Sequence, residues 1–347
     1  PTMRFIKQPN VWLETIHRHR ATCSFAPNFA YALATRRAKP SDVERWDLSS
    51  IKLLGCGAEP IQPKTMREFQ QTFAPAGLAE TAILPAYGMA EATLAMTFKP
   101  VEDVLRTLTI SASKLAEEGQ VELVDAASAP EGVAVEQVSC GVTFPDHDIA
   151  VLDDDMQPLP EGTEGELCFR GPSVTKGYFN NPEATARAFR DGWIRTGDLG
   201  FVLNGETYVT GRIKDLIIVN GRNVHPQAVE WAVAEVPQVR KGNVIAFSVP
   251  GDNGEELVVT LETRSQDHDA LITAARSEVQ RELSLRIADV RCLPPGTLPK
   301  TSSGKLQRRK ARELYLQGKL GTDTRATGAH TAASSAGAST AAKQPSA

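Results

Sequence analysis

Four short stretches set charged or aromatic side chains among glycines: YGMAEAT (87–93), TGDLG (196–200), GRIKDLIIVNGRN (211–223) and PKTSSGKLQR (299–308). Glycine lets backbone come close to a flat or charged group. A carboxylate in such a loop, Glu91 or Asp198, accepts hydrogen bonds or joins a hard cation. A lysine on a glycine-flanked loop, Lys305, enters a closed site as a point charge and offsets negative charge developing there. A fifth loop, GCGAEP (55–60), follows an apolar run, and Pro60 stiffens it. Each stretch also has an ordinary reading. Gly55–Pro60 can be a plain strand-to-helix turn, Tyr87 a core tyrosine, Glu91 a carboxylate favoured at a helix start, and Asp198 a turn aspartate bonding its own backbone. Arg212 and Lys214 can be surface or linker cations, and Lys305 part of a solvated basic loop leading into RRKAREL.

The elements that must position these residues divide into three textures. Residues 8–37 read as helical, with Asn10 capping a helix that carries Trp12, Leu13 and Ile16, and Pro27-Asn28 opening the next. IKLLGCG is a short buried strand, PKTMREFQQTF a helix with Met66, Phe69 and Phe73 on one face, and TAILPAYG a second strand. Strand, helix, strand predicts a mostly parallel sheet flanked by helices over residues 1 to about 100. From about Ser139, DIAVLD, GELCFRG, LGFVL and ETYVTGR alternate with turns and predict a small antiparallel β unit. LIIV, PQAVEWAVAEV, VIAFSV, ELVVTLET and ALITAARSEVQRELS then predict a compact α+β unit of about 100 residues. The Ala/Ser/Thr-rich end of the chain is expected to be disordered.

Composition narrows the class. The chain has 347 residues, enough for two or more units, and is 41% hydrophobic. A net charge of −4 gives no indication of a nucleic-acid or anionic-membrane partner. Five cysteines, widely spaced and never in a C-x-x-C pair, argue against a disulfide framework or a zinc site and point to a reducing cytoplasm. No integral membrane segment is expected, since no run of 18 or more apolar residues occurs. The chain opens on Pro1, and no Ser/Thr/Gly-rich phosphate loop precedes Tyr87. The expectation is therefore the C-terminal portion of a longer enzyme, inactive or nearly so by itself.

In this order the stretches resemble the core motifs of the adenylate-forming enzymes: acyl-CoA synthetases, luciferases, peptide-synthetase adenylation domains and fatty-acyl-AMP ligases. The resemblance spans residues 8–318 and implies an α/β fold. Residues 1–138 and 139–213 would be the α/β and β subdomains of the AMP-binding domain, 214–320 a mobile α+β domain, and 321–347 a tail. It implies ATP and Mg²⁺ as cofactors. Gly57, Ala58, Glu59 and Pro60 would line the adenine, Tyr87 would stack on it with Gly88 alongside, and Asp198 and Arg212 would reach the ribose. Glu91 would hold Mg²⁺, Lys214 would be the pivot between domains, and Lys305 would touch both carboxylate and α-phosphate, with Lys300 and Arg308 as neighbouring controls. Many relatives carry threonine before the glutamate, where this chain has Ala90. Fatty-acyl-AMP ligases share that alanine.

Three further features resemble the fatty-acyl-AMP ligases: SFAPNFAYAL (24–33) as an acyl-pocket segment, a long distance from Glu91 to VSCG (138–141), and NGRNVHPQAVEWAV (220–233). That likeness implies a fatty acid as substrate. The acyl-adenylate would pass to the phosphopantetheine of an acyl carrier protein or of a polyketide or peptide synthase. A fatty-acid–CoA ligase and an inactive nucleotide-binding fragment are the alternatives.

Overall fold

The computed structural model describes residues 2–125, 134–219, 221–251, 254–301 and 304–321. The segment expected to be disordered lies outside the described residues from 322 onward, as do Asn220, Ser302 and Ser303 of the motifs. Three parallel strands start the first sheet: β1 (Cys23–Ala26), β2 (Leu53–Cys56) and β3 (Ile83–Tyr87). Both faces of such strands must be covered. The helix Pro63–Phe73 covers one face with Met66, Phe69 and Phe73, each 0% exposed, on one stripe, and proline occupies its first turn. Phe69 meets Tyr31 of the helix Asn28–Arg37 and Phe73 edge-on or tilted, with ring centroids 4.9 and 4.7 Å apart. Each buried aromatic of this kind contributes about 1.5–3 kcal/mol. The sheet is mostly parallel only in this half. β4 (Thr97–Phe98) adds antiparallel to β3. β5 (Thr107–Ser111) and β6 (Ala134–Val138) pair separately, and β7 (Val142–Thr143) returns antiparallel to β4.

Residues 8–37 are not continuously helical. The helix Val11–His19 is followed by β1 before Asn28–Arg37 begins. β1 is four residues long, and its ladder partner starts 30 positions on, at Leu53. No local period reveals a strand so short. Asn10 does not cap. Its amide donates to Arg37 O and to Asp42 Oδ2, both at 3.1 Å, tying the start of the helix Val11–His19 to the helices Asn28–Arg37 and Pro40–Arg45.

The antiparallel unit comprises β8 (Asp148–Leu152), β9 (Gly165–Arg170), β10 (Phe189–Arg190), β11 (Trp193–Leu203) and β12 (Glu206–Arg212), with β11 paired to β9, β10 and β12. Its one helix is the seven-residue Pro182–Ala188. A turn Ile213–Asp215 leads to the hairpin of β13 (Ile217–Val219) and β14 (Arg222–Val224). Then β15 (Val239–Gly251) and β16 (Gly254–Thr263) pair antiparallel, and β17 (Asp289–Leu293) joins β16 in parallel. The period of two on β15 divides its side chains. Val244 and Ala246 pack with Val229, Val233, Leu271 and Val279 of the helices Pro226–Ala234 and His268–Leu283. Ile245 and Phe247 pack on the opposite side with Ala311 of the helix Arg308–Leu316. Among the described residues no helix is long and apolar enough to cross a membrane.

Candidate active site

β2 and β3 run parallel, so the loops at their C-terminal ends emerge on one edge of the sheet, where open α/β sheets bind ligands. After β2 come Gly57, Ala58, Glu59 and Pro60, and after β3 comes Gly88. Close packing requires both glycines. A Cβ on Gly57 would lie 2.5 Å from Ala86 O, and one on Gly88 would lie 1.7 Å from Leu94 O. Ala58 sits at φ +69°, a strained conformation for a side chain. Ala58, Glu59, Pro60 and Gly88 line a cavity of about 1590 Å³, together with Tyr87, Asp198, Arg212 and Lys305, while Gly57 packs behind them against Ala86 and is not part of the lining.

Asp198 reaches this cavity from inside a strand. β11 bulges between Arg195 and Leu199, with Gly197 at φ +71°, and Glu166 fixes the bulge by accepting from Gly197 N–H at 2.9 Å and Arg195 Nε at 2.6 Å. The bulge re-aims the side chain. The Asp198 carboxylate accepts from Tyr87 O–H at 3.0 Å and from Arg212 Nε at 2.8 Å, and Arg212 is its register partner on β12. The aspartate therefore does not act as a turn residue bonding its own backbone. Burial pushes its carboxyl above the usual range, and Arg212 and Tyr87 pull the other way. Burial, reinforced by Asp198, pushes the Tyr87 phenol well up, so it stays a donor. Tyr87 is 8% exposed, belonging to the core as well as the cavity wall.

Lys305 arrives from the far end of the chain. Its Nζ donates to Ala58 O at 3.2 Å across 247 positions. The loop is held by Thr301 N–H to Lys305 O at 2.8 Å, Lys305 N–H to Thr301 Oγ1 at 3.0 Å and Gln307 N–H to Pro299 O at 3.0 Å. Burial raises the Glu59 carboxyl, and backbone N–H groups of Phe29 and Asn28 and the charge of Lys305 counter it. Lys300 and Arg308 are not solvated basic neighbours, which removes them as neutral controls. Lys300 Nζ is bonded to Asn243 Oδ1 at 2.6 Å, with burial lowering its pKa. Arg308 bridges Glu230, at 2.7 and 2.8 Å, and Asp215, at 3.1 Å.

Two expected residues stand apart. Glu91 lies on the three-residue turn Ala90–Ala92, too short for a helix dipole, outside the cavity lining, and its Oε1 accepts from Tyr178 O–H at 2.7 Å. Among the described residues no group of three or more His, Cys, Asp or Glu is arranged to hold a metal ion. A lone carboxylate still suits Mg²⁺, which keeps its waters and takes phosphate oxygens. Lys214 is exposed on the turn Ile213–Asp215, two residues past Arg212. Of the acyl-pocket segment, Asn28, Phe29, Ala32 and Leu33 line the cavity, faced by Leu115, Val135 and Val138 from the long segment after Glu91. Sequence reading missed Glu166, Tyr178 and the Arg308 contacts. Only the last left a signal, an arginine three places beyond Lys305.

Residues 2–179 match the family model for AMP-binding enzymes. A Caulobacter vibrioides protein provisionally named an acyl-CoA synthetase is 41% identical over 92% of this chain and 56% of its own length. A medium-chain-fatty-acid–[acyl-carrier-protein] ligase of Moorena producens, JamA, is 36% identical over 91% of this chain and 56% of its own. A solved fatty acyl-adenylate ligase, from work on the E. coli and L. pneumophila enzymes, superimposes with a TM-score of 0.84 at 33% identity, over 91% of this chain and 57% of that one. The chain thus spans a little over half the length of the curated relatives it matches.

Proposed function

The chain belongs to the AMP-binding enzyme family and has the adenylate-forming enzyme fold, and on that premise we propose that it activates a fatty acid with ATP, giving acyl-adenylate and pyrophosphate. The observation that carries this reading is the reach of Lys305 Nζ to Ala58 O, in the cavity shared by Tyr87, Asp198 and Arg212. A carboxylate and a phosphate repel each other, so a cation at their meeting point is what the reaction needs most. Carboxylate oxygen would attack the α-phosphorus, the bond to pyrophosphate would break, and Lys305 would offset the charge that moves. Asp198 has lone pairs left after Tyr87 and Arg212, and would accept from the ribose hydroxyls. Gly57, Ala58, Glu59, Pro60, Tyr87 and Gly88 would enclose the adenine, whose face an aromatic ring suits. Mg²⁺, when bound, would neutralise phosphate charge, and Glu91 would hold it. The cavity exceeds the roughly 300–1,000 Å³ of sites for single drug-sized ligands, leaving space for nucleotide and acyl chain together.

Residues 214–320 would move as one domain about Lys214. Polar contacts on side chains that keep part of their surface in water support this: Lys64 Nζ meets Glu235 at 2.5 Å and Arg222 meets Glu117 at 3.5 Å across the boundary. Such contacts exchange for water at little cost. For the acyl acceptor we favour the phosphopantetheine of a carrier protein, the acceptor class in the name of the M. producens relative. A cytoplasmic setting is supported by five free cysteines. Mass spectrometry of products from the full-length protein with ATP, Mg²⁺ and mixed fatty acids tests the reading. Acyl-AMP that transfers to a phosphopantetheinylated carrier is expected. Rapid acyl-CoA formation from free coenzyme A would move the protein to the CoA ligases, and absence of acyl-AMP would remove the reading altogether.

A further inference from the structure

Arg308 opens the helix Arg308–Leu316, where the macrodipole disfavours a cation. It is also mostly buried, its side chain 21% exposed. Both conditions work against it. Burial lowers its tendency to hold a proton, and Glu230 and then Asp215 more than reverse this, leaving it above an ordinary arginine. The geometry explains how. Glu230, on the helix Pro226–Ala234, takes both prongs of the fork, Nε at 2.7 Å and Nη2 at 2.8 Å, and its Oε1 also accepts Ala246 N–H from β15 at 3.1 Å. Asp215, last residue of the turn Ile213–Asp215, takes Nη1 at 3.1 Å. A bidentate arginine fixes orientation as well as charge, which lysine cannot do.

These contacts join two places the chain separates by about ninety residues. On one side Arg308 lies three positions after Lys305, whose Nζ reaches Ala58 O. On the other, Asp215 follows Lys214 and lies three positions after Arg212, which is paired with Asp198. Two sets of polar contacts, Tyr87–Asp198–Arg212 and Asp215–Arg308, are thus joined by the three-residue backbone step from Arg212 to Asp215, and a second such step leads from Arg308 to Lys305.

We propose that Arg308 is a positioning residue that locks the Lys305 loop to the turn carrying Lys214, so that the turn and the lysine move as one body. It touches no reacting atom and acts through Lys305. The proposal rests on the adenylation reading for its kinetic consequence, but not for its structural one.

The test uses R308K, which keeps charge and loses the fork, in the full-length protein. Amide exchange is read at Leu216, whose N–H closes the turn onto Ile213 O, and at Lys305 and Gln307 on the loop. The expected result is faster exchange at both places together, with unchanged protection in β15 and β16. In steady-state adenylation, kcat should fall on the order of tenfold to a hundredfold, the cost of a misplacement of about 1 Å, with the KM for ATP unchanged. Because Arg308 acts through Lys305, R308K should remove nothing further in a K305A background. Unchanged exchange at either place overturns the proposal, as does a loss that adds in full to that of K305A. A role in folding alone would lower Tm and leave kcat per folded molecule intact. E230Q and D215N break the same contacts singly and serve if R308K does not fold. Should the wild type make no acyl-adenylate, the functional reading falls, and the exchange measurement still decides whether turn and loop are locked.

Discussion

Asp198 and Lys305 bring opposite charges to one cavity, but they are held there in different ways. Asp198 is 6% exposed, faces its register partner Arg212 across two adjacent strands, and is met by a tyrosine of the neighbouring sheet. Removing any of those contacts means disturbing a core. Lys305 sits on a short loop, is partly exposed, and meets the first sheet's loops through one bond to a backbone oxygen. Under the proposed reading, the half that would face the nucleotide is built in advance, and the charge that would drive the reaction would be delivered. An enzyme that must admit two anions and release a product gains from that division, since a permanently placed lysine would bind ground state and transition state alike.

The largest expected effect tests the delivered half. K305A should lower adenylation by 10²–10³, or about 2.7–4 kcal/mol, the cost of losing one preorganised charge-stabilising group. Nucleotide affinity and Tm should scarcely move, since one exposed bond is lost. Pyrophosphate exchange beside calorimetry and thermal melts separates these quantities. If activity stays above about a tenth of wild type, against that expectation of 10²–10³, the lysine only decorates its loop and the contrast with Asp198 disappears.

The prebuilt half should respond the opposite way. If Asp198 accepts from the ribose hydroxyls as proposed, D198A removes a charged acceptor at about 1.5–3 kcal/mol for each bond, or roughly 10–150-fold in nucleotide affinity. It also strands the buried Tyr87 hydroxyl, costing a further 1–3 kcal/mol or so of stability. D198N keeps an acceptor for Tyr87 and should recover stability without recovering affinity. Calorimetric titration with ATP, beside melts of both variants, checks this. Equal affinity in D198A and wild type would mean that the carboxylate serves the fold and not the nucleotide.

The same division governs what could be read without the structure. The helix Pro63–Phe73 was legible because Met66, Phe69 and Phe73 recur at helical spacing and proline marks its start. Strand β1 was not, because four residues between two helices have no period of their own and take their conformation from β2. The motif glycines were legible as places of close approach, and the collisions a Cβ would meet at Gly57 and Gly88 give the reason. TGDLG left Asp198 open between a ribose-facing carboxylate and a turn residue bonding its own backbone, and only its pairing with β9 and β12 shows a bulged strand. Arg308 looked like part of a solvated basic run. Its meaning depends on Glu230 and Asp215, which no spacing rule connects to it.

Glu91 is a third case, belonging to neither half, and its partner offers the smallest effect and the finest test. The Glu91 carboxylate stands outside the cavity lining, with Oε1 accepting from Tyr178 O–H at 2.7 Å, and Tyr178 is 37% exposed. The bond holds the phenol's proton, so the Tyr178 pKa is raised first by Glu91 and then by burial. Y178F deletes one donor at a wet site, where water takes its place, and should alter stability by no more than about 0.5 kcal/mol. If Glu91 holds Mg²⁺, a freed oxygen and a looser rotamer should change the Mg²⁺ concentration for half-maximal adenylation by roughly two- to threefold, within the typical net worth of a single hydrogen bond. E91Q, which removes the charge itself, should raise the requirement at least about tenfold, as expected where one carboxylate is the protein's share of the ion. The KM for ATP at saturating Mg²⁺ should be unchanged in Y178F. A Mg²⁺ titration of pyrophosphate exchange in both variants supplies the comparison. If E91Q and Y178F both leave the titration where it is, Glu91 fastens its turn to the segment around Tyr178 and has no part in binding the ion.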